Sequence, residues 1–395
     1  MTIKGLKAFL KKKCDHIFRS LSMYNFKGCK ISIDCSGLAY QYWGPQQRMV
    51  INKMTNPLDD IDMTQIENRW LNTIWSLLGK FIQLNIVPVM VFDGEPPPEK
   101  KSVIQMRSIE KQKKRDEIKE FKDKLNSSNF SLKTPQQHTQ ELNEMKELYA
   151  SLNLIGSDQF SLLKVFLNGL GIPVLQAKNE AEELCCTLCR EGYVTAVYCE
   201  DSDCLAHLAP CWIYQKSEKK KYVKERNEYM EDFEFVLLRD VLHELNLSKE
   251  SFIDLCIMAQ CDYNSNVPNF AIGKSYTALK KYKSYDAVIK SKEHSNKDFS
   301  ILNYESCKKL FAQRSYSDCC DRPDLELVID RNCYKEYSQD YLFKCNMSHV
   351  IDVIRFIYPT YPIEAVKLDF DILCPLKGKE SDKIRFEIDM SKLQI

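Results

Sequence analysis

The sequence predicts an α/β fold built on a central, mostly parallel sheet flanked by helices. Three observations predict it. Residues 30–33 (KISI) and 86–92 (IVPVMVF) read as strands, the second continuously apolar as a strand buried on both faces should be. Between them, residues 64–84 carry Ile66, Trp70, Ile74, Leu77, Leu78, Phe81 and Ile82 at helical spacing, the pattern of a crossover helix joining parallel strands. After a long polar interruption the alternation resumes, and the strands repeatedly run into acidic residues.

The resumed pattern has a helix over 160–170, a turn and strand at Gly171-Ile172-Pro173-Val174-Leu175, a helix over 180–191 and a strand at 194–199 (VTAVYC), followed by Glu200-Asp201-Ser202-Asp203. Alternating strands and helices with polar groups at strand ends place a site at the carboxyl edge of the sheet. The interruption begins at Asp93-Gly94-Glu95-Pro96-Pro97-Pro98. Residues 100–124 then hold ten Lys/Arg against five Asp/Glu, and NSSN (126–129) and TPQQH (134–138) read as turn punctuation, so residues 100–157 form a projecting helical excursion outside the core. A helix over 248–259 leads through Cys261-Asp262-Tyr263 to a second helix near Ile272-Gly273-Lys274. The division expected is 1–99 and 158–262 for the two parts of the core, 100–157 for the excursion, 250–283 for the helical pair and 284–395 for a region without a chemical motif.

Composition limits the function classes. The 395 residues are 44% hydrophobic and 28% charged, ordinary for a globular chain. The formal net charge is only +1, so any nucleic-acid footprint must be local. Seventeen cysteines without a secretory signal suit a reducing, intracellular setting, and no apolar run approaches the roughly 20 residues a membrane helix needs. Cys185, Cys186 and Cys189 lack a second pair at zinc-finger spacing and read as buried small thiols.

Seven acids share a position type: Asp34 and Asp93 end strands, Glu180 and Glu182 open a helix, Asp201 and Asp203 follow a strand, and Asp262 sits in a helix-to-loop turn. Each has a bland reading. Asn179 with Glu182 is an Asn-x-x-Glu capping pattern, Asp34 suits the cap of a helix starting at Cys35, and Asp201-x-Asp203 suits a polar turn. If the fold unites them, however, their repulsion requires cations, and oxygen-only ligands select Mg²⁺ or Mn²⁺.

The joint order of these motifs resembles the flap endonuclease family, the group that includes the xeroderma pigmentosum group G nucleases and related 5′ exonucleases. The matching strings are Ile33-Asp34-Cys35-Ser36-Gly37-Leu38-Ala39-Tyr40-Gln41, Val91-Phe92-Asp93-Gly94-Glu95-Pro96-Pro97, Gly171 through Glu182, Glu200 through Leu205, and Asp254 through Tyr263. The resemblance implies a PIN-like nuclease core with a helical arch and a helix-two-turn-helix. It implies a structure-specific nuclease acting on 5′ flaps, nicks or gaps in replication, repair or recombination. A 5′–3′ exonuclease or Holliday-junction resolvase on the same core, and a non-catalytic nucleic-acid-binding scaffold, are the alternatives.

By the same resemblance the seven acids are direct or water-mediated ligands of two Mg²⁺ ions, with Mn²⁺ as a substitute. Lys100 and Arg107 contact the scissile phosphate, and Tyr40 stacks a base. The excursion threads a single strand and orders upon it. Gly273, Lys274, Lys280 and Lys281 grip duplex DNA together with Lys283 and the basic stretch 216–226, and carbonyls around Asp262, Asn266, Val267 and Phe270 hold K⁺. The partner implied is branched or nicked DNA at a replication site, nuclear or in a cytoplasmic factory, bound by a monomer without a membrane.

Departures accompany the match. Thr2 stands where relatives carry Gly, Ala271 stands where Gly is usual, and residues 44–62 are longer than usual. No sliding-clamp peptide Gln-x-x-Leu-x-x-Phe-Phe is visible, and this trimmed form resembles versions carried by large DNA viruses.

Overall fold

In the computed structural model, which describes residues 3–127, 134–223, 228–322 and 327–330, seven strands form one sheet. They are β1 (Arg19–Ser22), β2 (Lys30–Asp34), β3 (Val87–Phe92), β4 (Val174–Gln176), β5 (Ala196–Tyr198), β6 (Cys211–Val223) and β7 (Glu228–Leu237), in the order β1-β7-β6-β5-β2-β3-β4. Strands β6, β5, β2, β3 and β4 run parallel, while β7 and β1 continue the sheet antiparallel. The expected mostly parallel α/β fold is therefore present. Because β3 lies on one side of β2 and β5 on the other, the chain reverses direction across the sheet at β2, where open α/β sheets form their crevice.

Strand β3 shows how the sequence fits this arrangement. Pro88 lacks an amide proton and would interrupt a fully paired central strand. Val87 donates to Cys29 on the β2 side and Met90 to Pro173 on the β4 side. Pro88 therefore faces the β4 side before pairing with β4 begins at Met90. The fold accommodates a proline at the one stretch where β3 has a free edge.

The helices before the excursion are α1 (Leu6–Cys14), α2 (Cys35–Asn52) and α3 (Met63–Gln83). The apolar stripe of α3 is buried as its periodicity predicts, and Trp70 meets Trp43 of α2 edge-on at 5.3 Å while its indole donates to the Ala39 carbonyl. Residues 44–52 of the long segment noted above simply extend α2 through Pro45.

The excursion is α4 (Lys101–Ser127) and α5 (Pro135–Ser151). It does not merely project. Ile118, Leu125, Met145, Tyr149 and Leu152 form a second small core with Ile51 of α2, and buried Gln47 donates to the carbonyls of Tyr149 and Leu152. The TPQQH stretch, expected to be turn punctuation, instead opens α5. Thr134 and Gln137 make a reciprocal capping box and Pro135 occupies the first helical turn, where a missing N–H costs nothing. Residues 128 and 129 of NSSN lie outside the described residues, and Asn126 and Ser127 are helical.

Then come α6 (Ser157–Gly169), α7 (Ala181–Arg190), the one-turn α8 (Asp203–Ala206), α9 (Leu238–Leu245), α10 (Lys249–Ala259) and α11 (Ile272–Tyr282). Three short helices follow, α12 (Tyr285–Ile289), α13 (Tyr304–Leu310) and α14 (Tyr316–Cys319). Residues 284–322 close onto the core. Asp254 of α10 accepts from the Tyr304 hydroxyl at 2.6 Å and the Tyr285 amide at 3.1 Å, the two rings stack at 3.6 Å, and the Lys178 amide donates to the Cys319 carbonyl. Residues 331–395 lie outside the described residues.

Candidate metal centre and nucleic-acid interface

The acids come from the ends of β2, β3 and β5, the start of α7 and the end of α10. Asp34 is the last residue of β2 and the N-cap of α2, its Oδ1 accepting from the Ser36 amide at 2.9 Å. A Cβ at position 37 would lie 2.8 Å from Asp34 Oδ2, so glycine there lets the carboxylate lie over the helix end. The capping role and the cluster role thus coincide in one side chain. Asp93 follows β3. Its Oδ1 accepts from the Ala181 amide at 2.8 Å, where α7's dipole favours negative charge, and its Oδ2 accepts from the Ser36 hydroxyl. Gly94 passes so close to the carbonyls of Ala177 and Lys178 that a side chain would collide with both, which holds the turn after β3 against the one before α7.

Glu180 is the N-cap residue of α7, and Glu182 lies in its first turn. The expected Asn179 cap is not formed. No side chain caps this helix, and the Asn179 amide instead reaches Glu183 at 3.5 Å. The acids at this helix start are left to face the crevice. Asp201 and Asp203 follow β5; the Asp203 amide donates to Asp201 Oδ1 at 3.2 Å, and Asp203 Oδ1 accepts from the Ile3 amide at 2.6 Å. The start of the described chain therefore touches the cluster, while Thr2 itself lies outside the described residues. Asp262 follows α10, buried.

Electrostatics ties the seven together. Burial, then the charge of Asp93, pushes the Asp34 carboxyl up to about 7. Burial and then Asp201 push Glu182 well above the usual carboxylate range, with further contributions from Asp203 and Asp34. Asp203 is raised by burial, Asp201 and, more weakly, Asp262; burial raises Asp201 as well. Lys100 supplies the link to Glu180: it pairs with Glu180 and lies 3.8 Å from Asp262. Burial opposes its charge, yet Glu180, Glu182 and Asp262 hold its pKa above the ordinary lysine value. Arg107 reaches Asp262 at 3.7 Å. All seven predicted ligands and both predicted cations thus share one crevice.

The donor set fits hard divalent cations. Among the described residues no lysine or arginine forms an ion pair with Asp34, Glu182 or Asp203; Lys100 acts on Glu182 only at longer range, and the mutual repulsion of these carboxylates stands. Several kcal/mol of such repulsion, roughly, is what bound cations remove. Asp34, Glu182 and Cys199 each offer a ligand atom, all within 4.8 Å of one another.

Sequence reasoning missed three contributors. Cys199 lies 3.6 Å from Asp34 and 3.8 Å from Glu182, and its Sγ accepts from the Asp201 amide. Tyr263 donates its hydroxyl to Glu180, opposite Lys100, and Ser36 donates to Asp93. Position beside Asp201, Asp262 and Asp34 is the signal that could have found them. Cys185, Cys186 and Cys189 are buried in α7, with Cys186 and Cys189 directed at backbone carbonyls, and all fourteen described cysteines are free.

The predicted DNA contacts stand on α2 and α11. Tyr40, on α2, is 49% exposed and touches Phe160 edge-on. Gly273 opens α11 with nothing within 4 Å of a notional Cβ. Lys274, exposed, donates to the Asn269 carbonyl at 2.9 Å, and Lys281 pairs with Glu293, whereas Lys280 stands in the last turn of α11. In the turn proposed for K⁺, the Val267 carbonyl accepts from the Phe270 amide, the Phe270 carbonyl lies 3.4 Å from the Ser275 hydroxyl, and Asn266 Oδ1 has no hydrogen-bond partner. Ala271 adopts ordinary extended backbone, φ −72°, which needs no glycine. In the basic stretch 216–226, Lys216 faces Glu231 at 3.6 Å, and the side chains of Lys219, Lys220, Lys221, Lys224 and Arg226 lie outside the described residues. No described helix is long and apolar enough to cross a membrane.

Residues 1–114 match the XPG N-terminal domain and residues 171–262 the XPG I-region, together more than half of the chain. Flap endonuclease 1-2 of Paramecium tetraurelia is 27% identical over 326 residues, covering 79% of this chain and 76% of its own length. Flap endonuclease 1 of Candida tropicalis is 26% identical over 339 residues, 84% and 83% of the two chains. Among solved structures, the flap endonuclease-1 of Methanococcus jannaschii superposes with a TM-score of 0.53 at 18% identity, over 86% of this chain and 96% of that one. Human GEN1 in complex with Holliday junction DNA gives 0.53 at 14% identity, over 90% and 76%. At these identities the structural likeness speaks to the fold alone.

Proposed function

The chain belongs to the XPG and flap endonuclease family, and from that premise we propose that it is a structure-specific DNA nuclease hydrolysing phosphodiesters at 5′ flaps, nicks or gaps. The observation that carries the reading is the meeting of seven carboxylates from three strand ends and two helix ends with Lys100 and Arg107 at their rim. Asp34, Asp93, Glu180, Glu182, Asp201, Asp203 and Asp262 would hold two Mg²⁺ ions, for which Mn²⁺ substitutes. When bound, such ions activate water and stabilise the leaving oxygen of an in-line displacement.

The protein's own share is positioning and charge. Lys100, held between Glu180 and Asp262, and Arg107, one face along on α4, present cations to a phosphate entering over the acids, where developing negative charge needs donors. Arginine and lysine here also neutralise part of the field that would repel DNA. The basic helix α4, resting on α2 through α5, suits a single strand; α10, α11 and Lys280 suit the flanking duplex. K⁺ at the turn between α10 and α11 is the remaining part of this reading, supported by the unpartnered Asn266 Oδ1. Action where DNA is replicated or repaired, in a reducing compartment, agrees with the free cysteines.

The test compares a labelled 5′ flap, a blunt duplex and a four-way junction side by side, in Mg²⁺ and in EDTA. Flap cleavage in Mg²⁺ that exceeds the other two supports the reading, and preferential junction cleavage replaces it with a resolvase. Asp201→Ala should keep flap binding and lose cleavage. A parent chain that binds DNA without cutting any of the three in Mg²⁺ would mean a scaffold.

A further inference from the structure

Helix α1 supplies none of the seven acids and none of the DNA contacts implied by the motifs, yet its solvent side is basic. Leu6, Leu10 and Cys14 face the core at every fourth position, which leaves Lys7, Ala8, Lys11, Lys12 and Lys13 on the remaining surface, and no acid stands in the helix. Lys7 is matched within the protein: it lies 4.1 Å from the Tyr214 ring centre, and Glu200 and Glu234 act on it. Lys11, Lys12 and Lys13 are exposed, and among the described residues no carboxylate forms an ion pair with them. Lys11 and Lys13 instead lie over the rings of Phe18 and Tyr276, each at 5.4 Å, which steers them without cancelling their charge. Glu244, beyond the helix, is engaged by His16 at 3.0 Å. One cation in the last turn would answer the helix dipole, whereas three side by side repel one another and call for a countercharge from outside the chain.

The helix is pinned beside α11. The Lys4 amide donates to the Gln260 carbonyl at 2.9 Å, a Cβ on Gly5 would lie 3.8 Å from Ile272, and Phe9 meets Tyr276 at 5.4 Å. Ile272 and Tyr276 are one turn apart on α11, as Gly5 and Phe9 are on this chain segment, so the two helices run side by side in the same direction. Since Ile3 touches Asp203, α1 leads from the metal centre along the flank of α11 and ends in its three lysines. We propose that the Lys11–Lys13 end of α1 is a further contact for duplex DNA, its lysines neutralising phosphates of the same arm that α11 faces. The inference rests on the nuclease reading and lengthens its duplex track by one element. A bilayer is the poorer match, because the outward residue among these lysines is Ala8 and α1 exposes no large apolar side chain to enter lipid. An acidic protein partner would likewise find no apolar anchor there.

The experiment measures binding of the full chain to a labelled 5′ flap by fluorescence anisotropy in EDTA over a salt series, with both duplex arms long and with each arm trimmed in turn. Lys11→Ala, Lys12→Ala and Lys13→Ala combined should lower the slope of log affinity against log salt by about two to three, at roughly 0.9 per phosphate neutralised. Trimming the arm that reaches α1 should erase this difference between parent and variant, and trimming the other arm should keep it. The triple Lys→Arg variant should retain the parent's slope, because the contact asks only for charge. Equal slopes for parent and triple alanine variant overturn the surface, as does a difference that survives the trimming of either arm. Vesicles of phosphatidylserine and phosphatidylcholine that sediment the parent but not the variant, with the DNA slope unmoved, would assign α1 to a membrane instead. Should the triple variant not fold, Lys12→Ala alone carries the test, with an expected slope loss of about one. A parent that shows these slopes but cuts no flap in Mg²⁺ overturns the nuclease reading and leaves the surface standing.

Discussion

Glu182 shows what a metal site asks of a single residue. Its carboxyl is pushed far up by burial and then by Asp201, so the charged form is a burden on the metal-free fold and an asset only when cations are present. Glu182→Gln keeps the shape and removes the charge. Thermal unfolding in EDTA should show the variant more stable than the parent by about 1–2 kcal/mol, while flap cleavage falls by more than about 100-fold. A variant less stable than its parent in EDTA contradicts the repulsion argument. Tyr263→Phe runs the other way. It removes the hydroxyl that holds Glu180 opposite Lys100, a hydrogen bond to a charged group worth about 1.5–3 kcal/mol, and should lower stability by that order in the same melts. At this scale the acids were legible because each stands at a strand or helix end in a fixed order. Cys199 and Tyr263 were not, because a thiol and a phenol beside apolar runs read as core until the fold turns them toward a carboxylate.

Helices α4 and α5 show the limit of polarity as a guide. Their surface is charged, so the excursion reads as free of the core; yet Met145, Leu148, Tyr149 and Leu152 fall at the helical spacing that makes one apolar face, and they meet Ile118 and Leu125 over Ile51. A few apolar residues at the right period suffice for a satellite core, and an average over the segment hides them. The joint between this unit and α2 is Gln47. Its oxygen accepts from the Trp43 indole at 2.7 Å and the Leu154 amide at 3.2 Å, and its amide donates to Tyr149 and Leu152. Gln47→Ala strands all four groups in a buried place. We expect a loss of roughly 3 kcal/mol, with hydrogen exchange accelerated in α5 and the N-terminal part of α6 more than in α7. Uniform acceleration across both would mean that α5 is not anchored through this residue.

Across the whole molecule, the parallel strands were legible because burial on both faces leaves uninterrupted apolar runs, as in β3. Strand β1 and the β6–β7 hairpin were not, since antiparallel strands such as Glu228–Leu237 mix charge with apolar residues and lack a crossover helix to mark them. The same sheet edge sets a global dependence on pH. Asp34 has an ordinary value of 3.8 and is raised to about 7, by burial first and Asp93 next. It therefore favours the metal-free fold fully below about pH 4, and that contribution, about 4 kcal/mol as an order of magnitude, is lost as pH rises to 7. His207 opposes it: burial, then Arg190, lowers it from 6.5 to about 3, so its contribution is present above pH 6.5 and disappears as pH falls toward 3. Metal-free stability should accordingly peak at mildly acidic pH. Divalent cations bind the ionised acids, so they restore at pH 8 what Asp34 forfeits there and have little to restore at pH 5. Melting temperatures measured with Mg²⁺ and with EDTA should differ by several degrees at pH 8 and by much less at pH 5, and Asp34→Asn should abolish most of that difference. An equal Mg²⁺ effect at both pH values would mean that the ions are held away from Asp34, and the shared crevice would no longer explain the chemistry assigned to it.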